Sequence, residues 1–567
     1  MDGAAEGDLR PRLTVEIVVD RPRGPAWIEA VIRHLLDSDD VAISRVAIDG
    51  ARDDPQAASG GPGRLGSALL RSYGRLDAKV FGEDDDPTTL VDLRPVLEAA
   101  RDREDGAGGS ANGRAPDVIL DLRAGPSRTP LAVARRPRFG TWSLEHGDDL
   151  PDGLRPERLG LVPGGPEMLV GRSWTATRLM AATENGTSPI GQIVSRVDRL
   201  SMTRGARGHL RKLARLVARC LAETRLTGTL PRDPDEGAGP PAGVGHDVPV
   251  RAEGGDRGSL GALAIGVALA GAGVGFFGRR AMRTLNPERW IVAISRTATA
   301  DDPAAIARNG QQVLHAPEGH EWADPFPVAM NGRQFLFIEE YVRRPGKGRL
   351  AIVEPDDSAR GWRSVETVLE SDTHLSYPFV FPWQDGWYLM PEQASTGSLE
   401  LYRATDFPRG WVWHSTQLPG VSAGDATIAE IDGRWWLFAA VKVPGGNAAD
   451  ELHLFHAESP LGPWTGHAMN PVVSDVRTAR PAGRMFQRDG RWYRPAQDGA
   501  VSYGHSIAIL EIERLDLGGF RQRLVEVIDP TWRPGLIATH TINAVDGLSA
   551  IDGLERVSRL RRRRPIR

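Results

Sequence analysis

Asp324 and Asp425 each stand eight residues ahead of a glycine, in the pairs Asn331-Gly332 and Asp432-Gly433. Two carboxyl groups at one register of a repeated module can face a common pocket, where one donates a proton and the other acts as base or nucleophile. Aspartates so placed also have a plainer use, accepting hydrogen bonds from backbone at a strand end. Glu392, in Met390-Pro391-Glu392-Gln393, closes an apolar run and is costly to bury without a cationic partner. Arg484 is the partner expected for it, and a structural ion pair and an acid–base role both stay open. Tyr377, Gln497 beside Asp498, and His540 in Thr539-His540-Thr541 complete the polar set, with Glu339 and Glu340 behind another hairpin. The expectation is that Asp324, Asp425 and Glu392 carry any catalysis, while Tyr377, Arg484, Gln497 and His540 contact substrate. His540 also reads as a packed channel histidine or a ligand for a central ion. No metal site is expected, and no cofactor is indicated.

These residues lie far apart in the chain, so a repeat must bring them together. A turn followed by an aromatic strand recurs at Asn331-Gly332, Asp385-Gly386, Asp432-Gly433 and Asp489-Gly490, with glycines 54, 47 and 57 residues apart. Asn-Gly and Asp-Gly tolerate the positive φ of tight hairpins. Each pair follows a short strand, at 323–326, 376–379, 424–427 and 482–485, and precedes outer strands such as 399–404 and 452–457. A period near 50 with about four strands per unit is one propeller blade. Strands at 290–295 and 537–552 supply a fifth blade shared by both ends of the segment, which removes exposed sheet edges. Innermost strands line the channel of such a fold, so equivalent positions converge.

The rest of the chain is built differently. Of the 15 tryptophans only Trp27, Trp142 and Trp174 precede residue 290. Strand-like runs at 13–20, 41–48, 118–122 and 140–144 alternate with helical stretches at 27–36 and 210–221, which favours a parallel sheet covered on both faces, a doubly wound α/β domain. Residues 228–259 are rich in Gly, Pro and Asp and read as a linker. The apolar run 260–277 reaches the lower length for a bilayer span, yet it is mostly Gly and Ala. A packed helix, a membrane helix and a linker all remain open for it. The expected layout is an α/β domain over 1–227, linker and apolar helix over 228–286, propeller over 287–556 and a basic tail over 557–567.

A net charge of −4 with 40% hydrophobic and 25% charged residues excludes nucleic acid as the main partner, because phosphate binding needs a concentrated basic surface. The basic run Arg559-Leu560-Arg561-Arg562-Arg563-Arg564 reads as a solvated end or as a contact for an anionic membrane or an acidic partner. One cysteine, Cys220, permits no intrachain disulfide, and the acidic N-terminus lacks the layout of a signal peptide. Cytoplasm is the expected compartment, with membrane association through 260–277 or the tail as the variant.

The run from Trp290 to Asp552 resembles the N-terminal propeller domain of plant glucosamine inositolphosphorylceramide transferases and their bacterial relatives. The matching stretches are Ala323-Asp324-Pro325-Phe326, Tyr388-Leu389-Met390-Pro391-Glu392, Asp425-Ala426-Thr427-Ile428, Trp435-Trp436-Leu437-Phe438, Gly483-Arg484-Met485-Phe486, Arg494-Pro495-Ala496-Gln497-Asp498-Gly499 and His540-Thr541-Ile542-Asn543. That domain is similar to the five-bladed propellers of family-43 glycoside hydrolases, which use two aspartates and a glutamate from three successive blades. The resemblance implies that Asp324 takes the place of the first-blade base. Ser376-Tyr377 stands where an aspartate is expected and Asp425 where the acidic glutamate is expected. Those departures favour sugar binding over hydrolysis.

The N-terminal half resembles formyltransferase-like α/β domains through Pro116-Asp117-Val118-Ile119-Leu120 and Phe139-Gly140-Thr141-Trp142-Ser143-Leu144-Glu145-His146-Gly147-Asp148. The resemblance sets His146 at the family's histidine and Ser143 at the asparagine that stabilises an oxyanion, which implies a degenerate, non-catalytic domain, with His146 and Asp148 or Asp149 as the alternative of an altered site. The expected function is a carbohydrate-active or carbohydrate-binding protein whose ligand is a sugar or glycolipid. The alternatives are a non-catalytic scaffold that presents a glycan- or protein-binding face, and acyl or formyl transfer to an amino sugar by the N-terminal half.

Overall fold

The computed structural model describes residues 10–49, 64–83, 86–106, 115–123, 136–147, 150, 161–232, 287–296, 299–308, 310–354, 365–442, 450–545 and 547–557. The linker beyond 232, the apolar run 260–277, the basic tail, Asp148 and Asp149 lie outside them. The chain divides into two compact units, Met1–Phe277 and Gly278–Arg567. Among the described residues no helix is long and apolar enough to cross a membrane.

The first unit contains β1 (Leu13–Val19), β2 (Arg23–Pro25), α1 (Ala26–Leu36), β3 (Val41–Ile48), α2 (Arg64–Phe81), β4 (Leu90–Asp92), α3 (Arg94–Gly106), β5 (Val118–Asp121), β6 (Thr141–His146), α4 (Gly165–Leu169), β7 (Trp174–Thr183), β8 (Gly186–Arg196), α5 (Met202–Leu210) and α6 (Leu213–Thr227). Six strands form one sheet in the order β3-β1-β5-β6-β7-β8. The first four run parallel, and β5, buried along its whole length, has the continuous apolar character of a strand covered on both faces. In α1 the apolar residues Trp27, Ile28, Val31, Ile32, Leu35 and Leu36 fall on one stripe, and all are buried.

The sheet is mixed, however, where a parallel one was expected. β6 pairs antiparallel with β7, and β7 with β8 through a hairpin whose last pair is Thr183 with Gly186. A chain that returns through Glu184 and Asn185 alone has no room for the crossover that parallel pairing requires.

The second unit is a propeller. Two N-terminal strands, β9 (Glu288–Ser295) and β10 (Gln312–Leu314), belong to the closing blade. Blade 1 is β11 (His320–Met330), β12 (Arg333–Val342), β13 (Lys347–Val353) and β14 (Glu366–Leu369). Blade 2 is β15 (Ser376–Trp383), β16 (Gly386–Glu392), β17 (Ser398–Asp406) and β18 (Arg409–Pro419). Blade 3 is β19 (Ala423–Ile431), β20 (Arg434–Val441), β21 (Leu452–Ala457) and β22 (Thr465–Gly466). Blade 4 is β23 (Phe486–Arg488), β24 (Arg491–Asp498), β25 (Ser506–Asp516) and β26 (Gly519–Ile528). The fifth sheet joins both ends: β27 (Leu536–Ala538) and β28 (Ile542–Val545) pair with β29 (Leu548–Arg556), which zips onto β9 from Ser549–Ser295 to Arg556–Glu288. Five blades and a shared closing blade are what the repeat implied.

Three of the hairpins turn on the expected residues, with left-handed φ at Asn331 and Gly332, Asp432 and Gly433, and Asp489 and Gly490. Blade 2 turns one residue earlier. Trp383 pairs with Gly386, so Gln384 and Asp385 form the turn and Gln384 carries the positive φ. Counted from the second turn residue, Asp324, Tyr377 and Asp425 therefore all stand eight residues ahead. In blade 4 the inner segment is irregular before Phe486, and the left-handed residue is Gly483 (φ +138), seven residues ahead of Gly490 and one past the matching place. A Cβ there would lie 2.0 Å from the Ile542 carbonyl oxygen of the closing blade. Replacing Gly483 with alanine is expected to cost about 3 kcal/mol or more, since backbone must move, and a thermal melt should show it.

Candidate functional site

The inner strands of blades 1, 2 and 3 carry the same irregularity at the same register. Ala323 pairs with Glu339 and Phe326 with Phe337, so Asp324 and Pro325 bulge opposite one residue. Tyr377-Pro378 does this between the Ser376–Glu392 and Phe379–Met390 pairs, and Asp425-Ala426 between Gly424–Ala440 and Thr427–Phe438. The first residue of each bulge has left-handed φ: Asp324 +47°, Tyr377 +46°, Asp425 +50°. Non-glycine residues rarely adopt that conformation, and bulges next to sites re-aim side chains. Here they turn three buried polar side chains toward one another.

Asp324 Oδ2 accepts from Tyr377 N at 3.0 Å and Oδ1 from Thr541 Oγ1 at 2.5 Å. Tyr377, fully buried, places its hydroxyl 2.7 Å from Thr427 Oγ1 and accepts from Gly483 N at 2.9 Å. Asp425 Oδ2 accepts from Arg480 Nε at 2.6 Å and from Gln497 Nε2 at 2.5 Å, while Oδ1 accepts from Arg480 Nη2 at 3.2 Å. The same Nη2 donates to Glu392 Oε2 at 2.8 Å. Four blades thus meet through side chains.

The closing blade adds the fifth. Asp552, with no exposure, accepts from His540 N and Thr541 N at Oδ1 (2.9 and 3.0 Å) and from Asp324 N at Oδ2 (3.1 Å). His540 Nδ1 lies 2.6 Å from that Oδ2 and 3.9 Å from Asp324 Oδ1. Asp324, His540 and Asp552 place ligand atoms within 4.8 Å of one another and could hold a metal ion, a grouping that the sequence did not suggest.

Arg484 does not fill its expected role. Its guanidinium packs over Phe326 and Phe379, 5.4 and 5.0 Å from their centroids, and donates to the Val380 carbonyl at 2.5 Å. Arg480, four residues earlier, is the cation paired with Glu392 and Asp425. The irregular inner segment of blade 4 breaks the register from which Arg484 was chosen. His146 lies in the other unit, at the end of β6, and contributes nothing to the channel contacts described above.

Glu339, Arg480, Thr541, Asp552 and Tyr503 are the residues that the sequence reading left without a role. A signal existed for two of them. Glu339 and Glu392 face the residue just before the bulge in their blades, and Asp552 N reaches Thr541 O on the corresponding strand pair of the fifth. Tyr503 comes from the β24–β25 loop, half exposed at 50%, with Arg480 5.4 Å from its ring centroid and the His540 ring edge-on at 5.6 Å. Gly504 beside it packs on His540, where a Cβ would lie 2.5 Å from the histidine Cβ. Trp290 stacks on His540 at 4.0 Å.

Burial raises the Asp324 carboxyl to about 6, against the lowering pull of His540. Burial also holds Glu339 well above the usual carboxylate range, reinforced by the charge of Asp324. Burial pushes Asp425 up as well, opposed by Arg480. For His540 burial works against the charge, but Asp552 and Asp324 prevail and raise it to about 9. Near neutral pH the site can therefore hold one carboxyl protonated beside another that is ionised, the requirement for paired proton transfer. It also gathers more carboxyl groups than cations.

Two measurements check this electrostatic reading. Arg480→Met should strand Asp425 and Glu392 and cost about 3–5 kcal/mol in chemical denaturation, with part restored in the Arg480→Met/Asp425→Asn double variant. His540 is protonated more tightly folded (about 9) than at its ordinary value of 6.5, so its charge stabilises fully below pH 6.5 and that contribution fades as pH rises through about 9. The difference is worth about 3 kcal/mol, and the raised carboxyls slope the same way. Melting temperature should fall across this window, and Asp552→Asn should flatten the fall.

The comparisons with known proteins fall on this unit. Residues 310–530 match the family model described as glucosamine inositolphosphorylceramide transferase 1, N-terminal. Curated relatives of that name are 35% identical over 196 residues in Oryza sativa subsp. japonica and 33% identical over 203 residues in Arabidopsis thaliana, covering 34% and 35% of this chain. The match spans 26% of the length of each relative. Similar solved structures include Zg3597, a family 117 glycoside hydrolase of Zobellia galactanivorans (12% identity, TM-score 0.30, 42% of this chain and 85% of that one). The RS223 beta-xylosidase (11%, 0.31, 41% and 91%) and a GH43_1 enzyme from Xanthomonas citri complexed with xylose (13%, 0.30, 46% and 93%) are others. The likeness of this chain to the glucosamine inositolphosphorylceramide transferases thus lies in residues 310–530, which match the N-terminal part of those proteins.

Proposed function

We propose that the propeller channel binds the amino-sugar end of a glycan or glycolipid. The observation that carries this reading is the charge inventory of the channel. Five carboxyl groups, on Asp324, Glu339, Glu392, Asp425 and Asp552, share it with the guanidinium of Arg480 and the imidazoles of His540 and His374, the latter 3.3 Å from Glu339 and lowered by burial. Asp324, Glu339 and Asp425, raised by burial, form a receptor for an ammonium group, which favours their ionised form. A phosphate would meet the opposite field, so the sugar rather than a phosphoryl group suits the channel. The relatives' name, which joins glucosamine to inositolphosphorylceramide, supports the same choice. Half-exposed Tyr503 supplies a flat apolar face of the kind on which a sugar ring rests.

A second reading, glycosyl chemistry, is favoured by Asp324 at about 6 beside the protonated Glu339. In it Asp324 acts as base and Glu339 or Glu392 as acid. Asp425, with both oxygens taken by Arg480 and Gln497, serves to position rather than to transfer a proton.

Calorimetry with glucosamine, N-acetylglucosamine and glucose tests the binding reading. Glucosamine should bind about tenfold more tightly than the two neutral sugars, with affinity rising from pH 5 to 7 as Asp324 ionises. Asp324→Asn should weaken it by about tenfold, roughly 1.4 kcal/mol. Equal binding of all three sugars would refute an ammonium receptor. Turnover of aryl glycosides, lost in Asp324→Asn, would establish the second reading instead.

A further inference from the structure

The outer two strands of blade 2, β17 and β18, pair with two irregularities. Leu401 pairs with Ser415 and Tyr402 with Trp413, so His414 is an extra residue on β18. Leu399 pairs with Leu418 and Glu400 with Thr416, so Gln417 is another. Residues three apart on a regular strand point to opposite faces. The bulge at His414 instead returns Trp413 and Thr416 to one face, which they share with Ser398, Glu400 and Tyr402 of the paired strand. Bulges re-aim side chains in this way at the outermost strand of a sheet, which β18 is in its blade.

Glu400 organises that face. Trp413 Nε1 and Thr416 Oγ1 donate to its Oε2 at 2.9 and 2.8 Å, and Ser398 Oγ donates to its Oε1 at 2.6 Å. Burial works to raise this carboxyl, but the three bonds prevail and hold it below its ordinary value. The indole is thus pinned by its N–H edge. Trp413 is nevertheless 61% exposed, more than any other Phe, Tyr or Trp among the described residues. Trp411, two residues earlier, is buried against Phe337 and Phe407. A tryptophan used for packing turns inward as Trp411 does, whereas Trp413 is fixed in place and left wet.

The hydrogen bonds also decide what such a face can recognise. A carboxylate has no hydrogen to give, so the hydroxyl hydrogens of Ser398 and Thr416 both point at Glu400, and their oxygens offer only lone pairs to a ligand. Glu400 Oε1, with one donor, can accept again. The lining is therefore an aromatic ring beside acceptors. Its complement is a flat ring with C–H bonds on its face and O–H donors at its rim, which describes a pyranose with equatorial hydroxyls. An apolar protein surface would only desolvate the Glu400 charge further.

We propose that this face of blade 2 is a second glycan site, in which a pyranose stacks on Trp413 while its hydroxyls donate to Glu400, Ser398 and Thr416. It is a platform for a neutral sugar on the outer strands, whereas the channel is lined by the inner ones. The inference does not rest on the channel's ammonium reading.

Proton–nitrogen spectra of the full chain labelled at the tryptophan indoles test it, with the Trp413 signal assigned by its loss in Trp413→Phe. Cellotriose, used as the probe, should move that signal and saturate it at millimolar concentration. Glycerol, which has hydroxyls but no ring face, should leave it still. Thr416→Val should weaken cellotriose about fivefold, the weight of one hydrogen bond, with the Trp413 N–H still held by Glu400. A signal indifferent to cellotriose, or one that glycerol moves equally, overturns the proposal. So does a signal that shifts when the protein is diluted without sugar, because a second copy then covers the face. These readings come from the unmutated chain and stand whether or not glucosamine enters the channel.

Discussion

The carboxylate of Asp552 holds the propeller and its site together. It sits on the strand that zips the two ends of the module, and it accepts from His540 N, Thr541 N, the His540 ring and Asp324 N. The last of these bonds belongs to blade 1, so one buried charge joins the closing blade to its neighbour. A carboxylate with no exposure is tolerable only because every contact is a donor and one of them is held as a cation. Closure of the ring therefore brings His540 against the carboxylates that raise its pKa. Thr541, held through its backbone N–H, then delivers its hydroxyl to Asp324.

From that anchor the polar network passes from blade to blade. Asp324 reaches Tyr377, Tyr377 reaches Thr427 and Gly483, and Asp425 reaches Arg480, which also holds Glu392. Every link but that of Arg480 to Glu392 depends on a left-handed residue at a bulge, a conformation that costs energy alone and persists because neighbouring pairs lock the register on either side. The strain lies where side chains must leave the pleat to face the axis. Apolar packing between blades, such as Phe326 edge-on to Tyr377 and Phe379, makes that geometry rigid.

The two units place chemistry by different means. In the propeller, repetition brings equivalent positions together from residues more than 200 apart. In the N-terminal unit a polar line of His146, Thr177, His209, Ser195 and Lys212 runs between strands β6, β7 and β8 and the helical segment beside them. The antiparallel hairpin that departs from a doubly wound sheet is also what supplies Thr177 and Ser195.

Much of the propeller was legible in the sequence, because turn chemistry is local. Asn-Gly and Asp-Gly pairs require positive φ wherever they occur, and their period counts blades and places Asp324 and Asp425 at one register. Blade 2 was misread by one residue, since Gln384 took the left-handed first turn position expected of Asp385. The choice of Arg480 over Arg484, and the tie through Asp552, were not legible. Both depend on which side chains point inward in segments that leave the regular pleat, and period-two alternation says nothing there. Carboxyl groups pushed up by burial and an imidazole held charged by two aspartates belong to the tertiary structure alone, because desolvation and Coulomb interaction exist only once distant residues share a space that excludes water.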